Sequence, residues 1–195
     1  MTSFSDATPA SSALSEPEET THAAFVELLK QSIRDVPDFP EPGIMFRDIS
    51  TLLAEPALFH RVVDAMASPF SDIEKVVIIE SRGFILGTPI AYAIGAGVVP
   101  VRKPGRLPAA TFSEAYTLEY GTNALEIHQD AIAPGERVLI VDDLLATGGT
   151  VAATIRLVDR LQGEVVGVSV LAELSALAGR NVLPDGIPVH SLVVY

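Results

Sequence analysis

Four short, uniformly apolar runs set the main constraint on this 195-residue chain: Val76 to Ile79, Val98 to Val101, Val138 to Val141 and Val165 to Leu171. None alternates apolar and polar residues as a strand with one wet face must, so each is expected to be covered on both sides. Helical stretches at about 84–95 and 150–161 separate them. Strand–helix–strand order with two-sided strands predicts an α/β fold, a central, mainly parallel sheet flanked by helices. Between the second and third runs, Lys103 to Gln129 carries alternating pieces, Thr111 to Glu119 and Ala124 to Ile127, around Gly121. That is the pattern of a long hairpin, and an excursion of that length is a functional lid or a disordered segment.

The N-terminal part reads differently. Residues 1 to about 20 hold five Ser, three Thr, two Pro and four acids, with Phe4 and Leu14 as the only large apolar residues, so they are expected to form a disordered tail. Residues 21–195 are expected to form one domain. Phe25, Leu28, Leu29 and Ile33 recur at helical spacing behind Thr20 or Thr21 as the cap, until Pro37 and Pro40 end the pattern. Asp38 to Ser50 reads as an irregular, Pro-rich loop. Pro56 then opens a second amphipathic helix through Leu58, Phe59, Val62, Val63 and Met66.

Charge narrows the partners. With 13 Lys+Arg against 25 Asp+Glu the formal charge is −12, which works against sequence-independent binding to nucleic acid or anionic membrane. Small molecules or protein remain. The absence of cysteine excludes disulfides, thiolate metal sites and a thiol nucleophile, and suits a reducing compartment, the cytoplasm being the default. No apolar run approaches the roughly 18 residues of a membrane span, and the first 29 residues lack Lys and Arg, so no leader peptide is expected.

The chemistry concentrates in Val138 to Thr150, VLIVDDLLATGGT. A buried strand delivers Asp142 and Asp143 to its carboxyl end, where open α/β sheets bind ligands. The loop that follows opens a helix, so the N–H groups of Thr147, Gly148, Gly149 and Thr150 have no helical acceptor, and the two glycines let the backbone close around an anion. A phosphate fits there. The two aspartates repel a phosphate and suit hydroxyl donors, or water on a divalent cation, so together the elements describe a sugar phosphate site. Paired Asp after a strand also fits a plain helix N-cap. Two other rival readings lack their second half: a nucleotide triphosphatase needs GxxxxGK[ST], and the chain has no Gly-Lys pair; a receiver domain needs an Asp ending a later apolar strand. Gly95 and Gly97 lack the third glycine of a dinucleotide fingerprint. His22, His60, His128 and His190 show no metal spacing or triad.

VLIVDDLLATGGT resembles the phosphoribosyl pyrophosphate (PRPP) motif of the type I phosphoribosyltransferases. With FPEPGIMFRDIS, IIESRGF, VPVRKPGRLP and LEYGTNALEIH the chain, from about residue 25 to 195, is similar to the adenine-using branch of that family. The resemblance implies a small N-terminal hood at about 36–50, a flexible hairpin lid at about 103–128, and transfer of the 5-phosphoribosyl group of PRPP to adenine, giving AMP and pyrophosphate. It also implies a cytoplasmic homodimer and Mg2+ held by PRPP and water near Asp142 and Asp143, with no direct protein ligand. A non-proline cis peptide near Glu80 and Ser81 is implied as well.

Residue roles follow on the same basis. Arg82 and the N–H groups of Ser81 to Gly83 are expected at the pyrophosphate, with Arg102 and Lys103 adding charge; Arg106 completes a cluster of four cations within 25 positions. Related enzymes for 6-oxopurines carry an acid where this chain has Ala146, so the proton handler is expected elsewhere, at Glu119, with Tyr120 sealing the site. Phe46 and Leu144 are expected to sandwich adenine while the backbone around Arg47, beside Asp48, reads its amine edge. Two alternatives stay open: a phosphoribosyltransferase for another nucleobase, and a regulator that senses PRPP or nucleotide without chemistry.

Overall fold

The computed structural model describes residues 16–118 and 121–195, with the side chains of 16–20, 117, 118, 121 and 122 excepted. The chain divides into two compact units between Ile49 and Ser50. The first holds α1 (Glu16–Ser32) and a hairpin of β1 (Arg34–Pro37) and β2 (Met45–Asp48). Helix α1 starts at Glu16, inside the stretch expected to be tail, so Thr20 and Thr21 lie within the helix rather than capping it. A Pro and two acids in the first turn after Glu16 explain the earlier start, since proline's fixed φ and negative charge both suit a helix N-terminus. The part of the expected tail before Glu16 lies outside the described residues. Phe25, Leu29 and Ile33 are buried as their spacing predicts, whereas Leu28 is exposed.

The Pro-rich segment is more ordered than its composition suggests. In β1 and β2, Arg34 stands opposite Asp48 and Asp35 opposite Arg47, and both cross-strand pairs are ion-paired. Asp38, with φ +56°, turns the chain and accepts the Gly43 N–H at 2.8 Å. Phe39 packs edge-on against Phe46 with ring centroids 5.0 Å apart. Opposite charges facing each other across two four-residue strands supply the register that alternation of apolar residues usually gives.

The second unit carries α2 (Ser50–Leu53), α3 (Pro56–Ala67), β3 (Lys75–Ile79), α4 (Arg82–Ile94), β4 (Gly97–Val101), β5 (Thr111–Leu118), β6 (Gly121–His128), β7 (Arg137–Leu145), α5 (Gly149–Arg160), β8 (Glu164–Glu173) and β9 (Val189–Val194). Five strands form one parallel sheet in the order β4-β3-β7-β8-β9. Successive strand residues point to opposite faces. Val77, Ile79, Val138 and Ile140 join one core with Val151, Ile155 and Val158 of α5. Ile78 and Val141 face α4 instead, meeting it at Gly87. Both faces are therefore covered along β3 and β7, as their uniform hydrophobicity requires, whereas on the edge strand β4 Val98 is exposed, so that run is not covered on both sides as expected. Buried Ser169 of β8 donates to the Met66 carbonyl at 2.8 Å and fastens α3 to the sheet.

Gly87 is where α4 comes closest to the sheet. A Cβ there would lie 2.1 Å from Cγ2 of Ile78 and 3.3 Å from Cβ of Val141. Gly87→Ala is expected to cost about 1–3 kcal/mol through overpacking, because a β-branched neighbour inside a core has no free rotamer to retreat into. Thermal melting would show it as a loss of about 2–4 °C per kcal/mol; an unchanged melting temperature would contradict this packing.

Strands β5 and β6 pair antiparallel outside the main sheet, from Thr111 opposite His128 to Leu118 opposite Gly121. Two arginines of α5 hold the hairpin. Arg156 Nε donates to Glu114 at 2.6 Å, while Arg160 donates to the Ser113 carbonyl at 2.9 Å and stacks over Phe112. Among the described residues no helix is long and apolar enough to cross a membrane.

Candidate active site

The carboxyl ends of β3 and β7, neighbours in the sheet, bring the candidate residues of the second unit together. β7 runs past both aspartates to Leu145, further than the apolar run alone predicts. Hydrogen bonding to β8 carries it on, with Asp142 opposite Val170 and Leu144 opposite Ala172. Ala146, Thr147 and Gly148 then form the loop, and Gly148, at φ +80°, stands just before α5 in a conformation that a side chain would strain.

No N–H of Thr147, Gly148, Gly149 or Thr150 donates to an acceptor among the described residues; the first helical bond of α5 runs from Ala152 N–H to the Gly148 carbonyl at 2.9 Å. Thr147 is exposed, Gly148 is buried and Gly149 and Thr150 are half-buried. Four donors are thus gathered at the positive end of a 12-residue helix, the arrangement that binds anions.

The two carboxylates are not equivalent. Asp143, 5% exposed, forms an ion pair with Arg82 Nε at 3.0 Å. Asp142 Oδ1 accepts the Asp143 N–H at 2.9 Å. Burial pushes the Asp142 carboxyl well above its ordinary 3.8, and the neighbouring Asp143 charge adds to the rise; Arg82 offsets only part of it. Burial raises Asp143 as well, against the pull of Arg82. An acid whose pKa is raised by folding binds its proton more tightly in the folded state, so its favourable contribution is complete below the ordinary value and is lost as pH rises through the shifted one. Near neutrality these carboxylates therefore oppose folding. Asp142→Asn keeps an oxygen for the Asp143 N–H and removes the buried charge. It is expected to melt about 2–4 °C higher than the parent at neutral pH, the response of a chain this size to 1 kcal/mol, and the gain should vanish at and below pH 3.8. A variant that melts lower at neutral pH would contradict this.

At the end of β3 the Glu80–Ser81 peptide is cis, and α4 begins at Arg82. Gly83 packs on Asp142 so closely that a Cβ would lie 2.9 Å from Asp142 Oδ1 and 3.0 Å from the Val141 carbonyl oxygen. Arg102 follows β4, the other neighbour of β3; its Nε donates to Glu80 Oε2 at 2.9 Å and its Nη1 to the Arg106 carbonyl at 3.1 Å. The Lys103 N–H also reaches Glu80, at 3.2 Å. Ser81, Arg82, Arg102 and Lys103 thus share one end of adjacent strands, as expected from their clustering. Two organising carboxylates escaped sequence reasoning. Glu80 accepts from the Arg102 guanidinium and from the Lys103 backbone N–H, and Glu126 accepts the Gly105 N–H at 3.0 Å while its backbone exchanges two bonds with Arg102. A lone acid ending an apolar strand next to a cationic cluster was the available signal for Glu80; for Glu126 there was none.

Leu144 is half-buried on β7. Phe46, Arg47 and Asp48 belong to the first unit, in the ion-paired hairpin described above. Glu119 and Tyr120 lie outside the described residues. No group of three or more His, Asp or Glu placed to hold a metal occurs among the described residues.

Residues 48–182 match the phosphoribosyl transferase domain, and the sheet order, loop and flanking helices are those of a type I phosphoribosyltransferase. The adenine phosphoribosyltransferase of Trichlorobacter lovleyi is 54% identical over 172 residues, 87% of this chain and all of the relative. The crystal structure of the enzyme of that name from Rhodothermus marinus superposes with a TM-score of 0.86 at 56% identity, covering 89% of this chain and 99% of the other. The Saccharomyces cerevisiae enzyme, solved with adenine and an imino-altritol bisphosphate, gives 0.82 at 40% identity, covering 87% and 99%. The chain belongs to the adenine phosphoribosyltransferase family.

Proposed function

We propose that the chain transfers the 5-phosphoribosyl group of PRPP to adenine, forming AMP and releasing pyrophosphate in purine salvage. The observation that carries this is the set of four N–H groups from Thr147 to Thr150, without acceptors among the described residues, beside the half-buried Asp142 and the buried Asp143 carboxylates. In the transition state positive charge builds on the ribose anomeric carbon and negative charge on the leaving pyrophosphate, so cations and a held nucleophile are what the protein must supply. The amides clasp the 5′-monoester, with Ala146 leading the chain into the loop. Asp142 and Asp143 face the ribose hydroxyls. Arg82, the amides at Ser81 and beyond, Arg102 and Lys103 receive the pyrophosphate, and Glu80 orients the Arg102 guanidinium and the Lys103 backbone.

The base nitrogen N9 forms the new bond to the anomeric carbon as the bond to pyrophosphate oxygen breaks. Leu144 offers the purine an apolar face. Ala146 leaves the loop without the acid that 6-oxopurine enzymes use, so Glu119 exchanges a proton at the other five-membered-ring nitrogen and Tyr120 keeps water from PRPP. Mg2+ fits this donor set only through water and substrate oxygens: two carboxylates, one already on Arg82, cannot complete a protein cage. When bound it neutralises charge developing on pyrophosphate. The working form is a cytoplasmic homodimer; exposed Ile85 and Tyr92 on α4 and Val98 on β4 support an isologous contact, and a cysteine-free sequence suits the cytoplasm.

The test is turnover of adenine, hypoxanthine, guanine, uracil and orotate with PRPP. Adenine is expected to be used fastest. Faster use of any 6-oxopurine, or no pyrophosphate release with any base, would overturn the assignment. Asp142→Asn is expected to weaken PRPP binding about tenfold or more, the loss that goes with a hydrogen bond to a charged group; titration calorimetry giving equal affinity would remove Asp142 from the ribose.

A further inference from the structure

The phosphate loop has a second wall that the motif does not include. After β8 the chain makes two short 3-10 turns, Ser175–Leu177 and Gly179–Val182. The second lies directly against the loop. A Cβ on Gly148 would sit 2.2 Å from the Gly179 carbonyl oxygen and 2.6 Å from Cγ2 of Val182, and a Cβ on Gly179 would sit 2.2 Å from the Ala146 carbonyl oxygen and 3.0 Å from the Gly148 nitrogen. Two backbones are thus stacked at contact with no side chain between them, so whatever fixes Gly179 fixes the loop.

Arg180 does the fixing. Its Nε and Nη2 fork onto the Glu173 carboxylate at 2.8 and 2.7 Å, its Nη1 donates to the Val189 carbonyl at 3.0 Å, and Nη2 also reaches Ser191 Oγ at 3.1 Å. Ser191 Oγ in turn donates to Glu173 at 2.6 Å. Glu173, only 6% exposed, ends β8 opposite Leu145, the residue before Ala146. One buried carboxylate therefore ties β9 and the 3-10 turn to the strand end from which the loop departs. Arg180 holds this carboxyl below its ordinary range, so the fork stays charged across neutral pH.

We infer that Glu173 and Arg180, acting through Gly179, are positioning residues that hold the Ala146–Gly148 backbone in the shape that receives the 5′-phosphate. The inference rests on the assignment of that loop to the 5′-phosphate. It predicts a loss confined to one end of the substrate. By calorimetry, Arg180→Ala should weaken ribose 5-phosphate about tenfold or more and leave pyrophosphate within about twofold, because small displacements of a preorganised loop are costly only for the group it holds. Arg180→Lys keeps the charge without the planar fork and should give a smaller loss of the same kind. Should Arg180→Ala not fold, Arg180→Lys and Ser191→Ala carry the same comparison.

A merely structural fork would lower the melting temperature and leave both affinities alone, or weaken both equally; either result overturns the inference. The variant Gly148→Ala, whose added Cβ would meet the Gly179 carbonyl oxygen at 2.2 Å and so displaces the loop backbone itself, separates the two levels. If it loses ribose 5-phosphate while the Arg180 variants do not, the positioning role fails and the loop assignment stands. If it too keeps ribose 5-phosphate at full affinity, the loop assignment fails first.

Discussion

Gly148→Ala is expected to lower kcat/KM for PRPP by about 100-fold, with much less effect on global stability. The backbone at Gly148 has φ +80°, where an L side chain costs about 1–2 kcal/mol. The added Cβ also meets the Gly179 carbonyl oxygen at 2.2 Å, against backbone that has no rotamer to change. The loop must move away, and misplacing a binding group by about 1 Å can cost about 100-fold in rate. Steady-state kinetics with PRPP as the varied substrate reads the effect. A variant with parental kcat/KM would show that the amides need not be where the fold puts them.

Glu119→Gln should be the larger loss in chemistry itself, roughly 10²–10⁴-fold in single-turnover rate, the range for removing a general acid–base group. PRPP affinity should change little, since a proton handler acts mainly in the transition state. Rapid quench under single-turnover conditions separates the two. Unchanged chemistry would take Glu119 out of the mechanism and return the proton to water or to another side chain.

Much of this was legible in the chain because the relevant signals are local. Strands buried on both faces read as continuous apolar runs, and a loop of Thr and Gly after two aspartates is contiguous, so β3, β4, β7, β8, α4 and α5 and the phosphate loop fall where periodicity and turn chemistry put them. What stayed hidden depends on residues far apart in sequence. The hairpin of Arg34–Pro37 and Met45–Asp48 is written in two ion pairs whose partners lie 14 and 12 residues apart, which composition cannot distinguish from a charged loop. Glu80 meets Arg102 across 22 positions, and Arg156 and Arg160 grip the β5–β6 hairpin across 42 and 47. Gly179 is plainer still: nothing in ALAGRN says that this glycine faces Gly148, because that contact exists only after β8 has been placed beside β7.

The aspartates show how a site and a stability cost coincide. A buried carboxylate beside a half-buried one would be a poor choice for a core, and the upward shift of both pKa values through burial marks that cost. They make sense where hydroxyls and a hydrated cation arrive with substrate. The same logic accounts for Arg82, whose Nε pairs with Asp143 at 3.0 Å and offsets part of the rise in its pKa.

The most direct measurement is a crystal structure with AMP bound. The nucleotide's phosphate oxygens should lie about 2.7–3.2 Å from the main-chain nitrogens of residues 147–150, with the ribose hydroxyls toward Asp142 and Asp143. Density for that phosphate at the Arg82 end of β3, or anywhere that leaves those nitrogens facing solvent, would contradict the account.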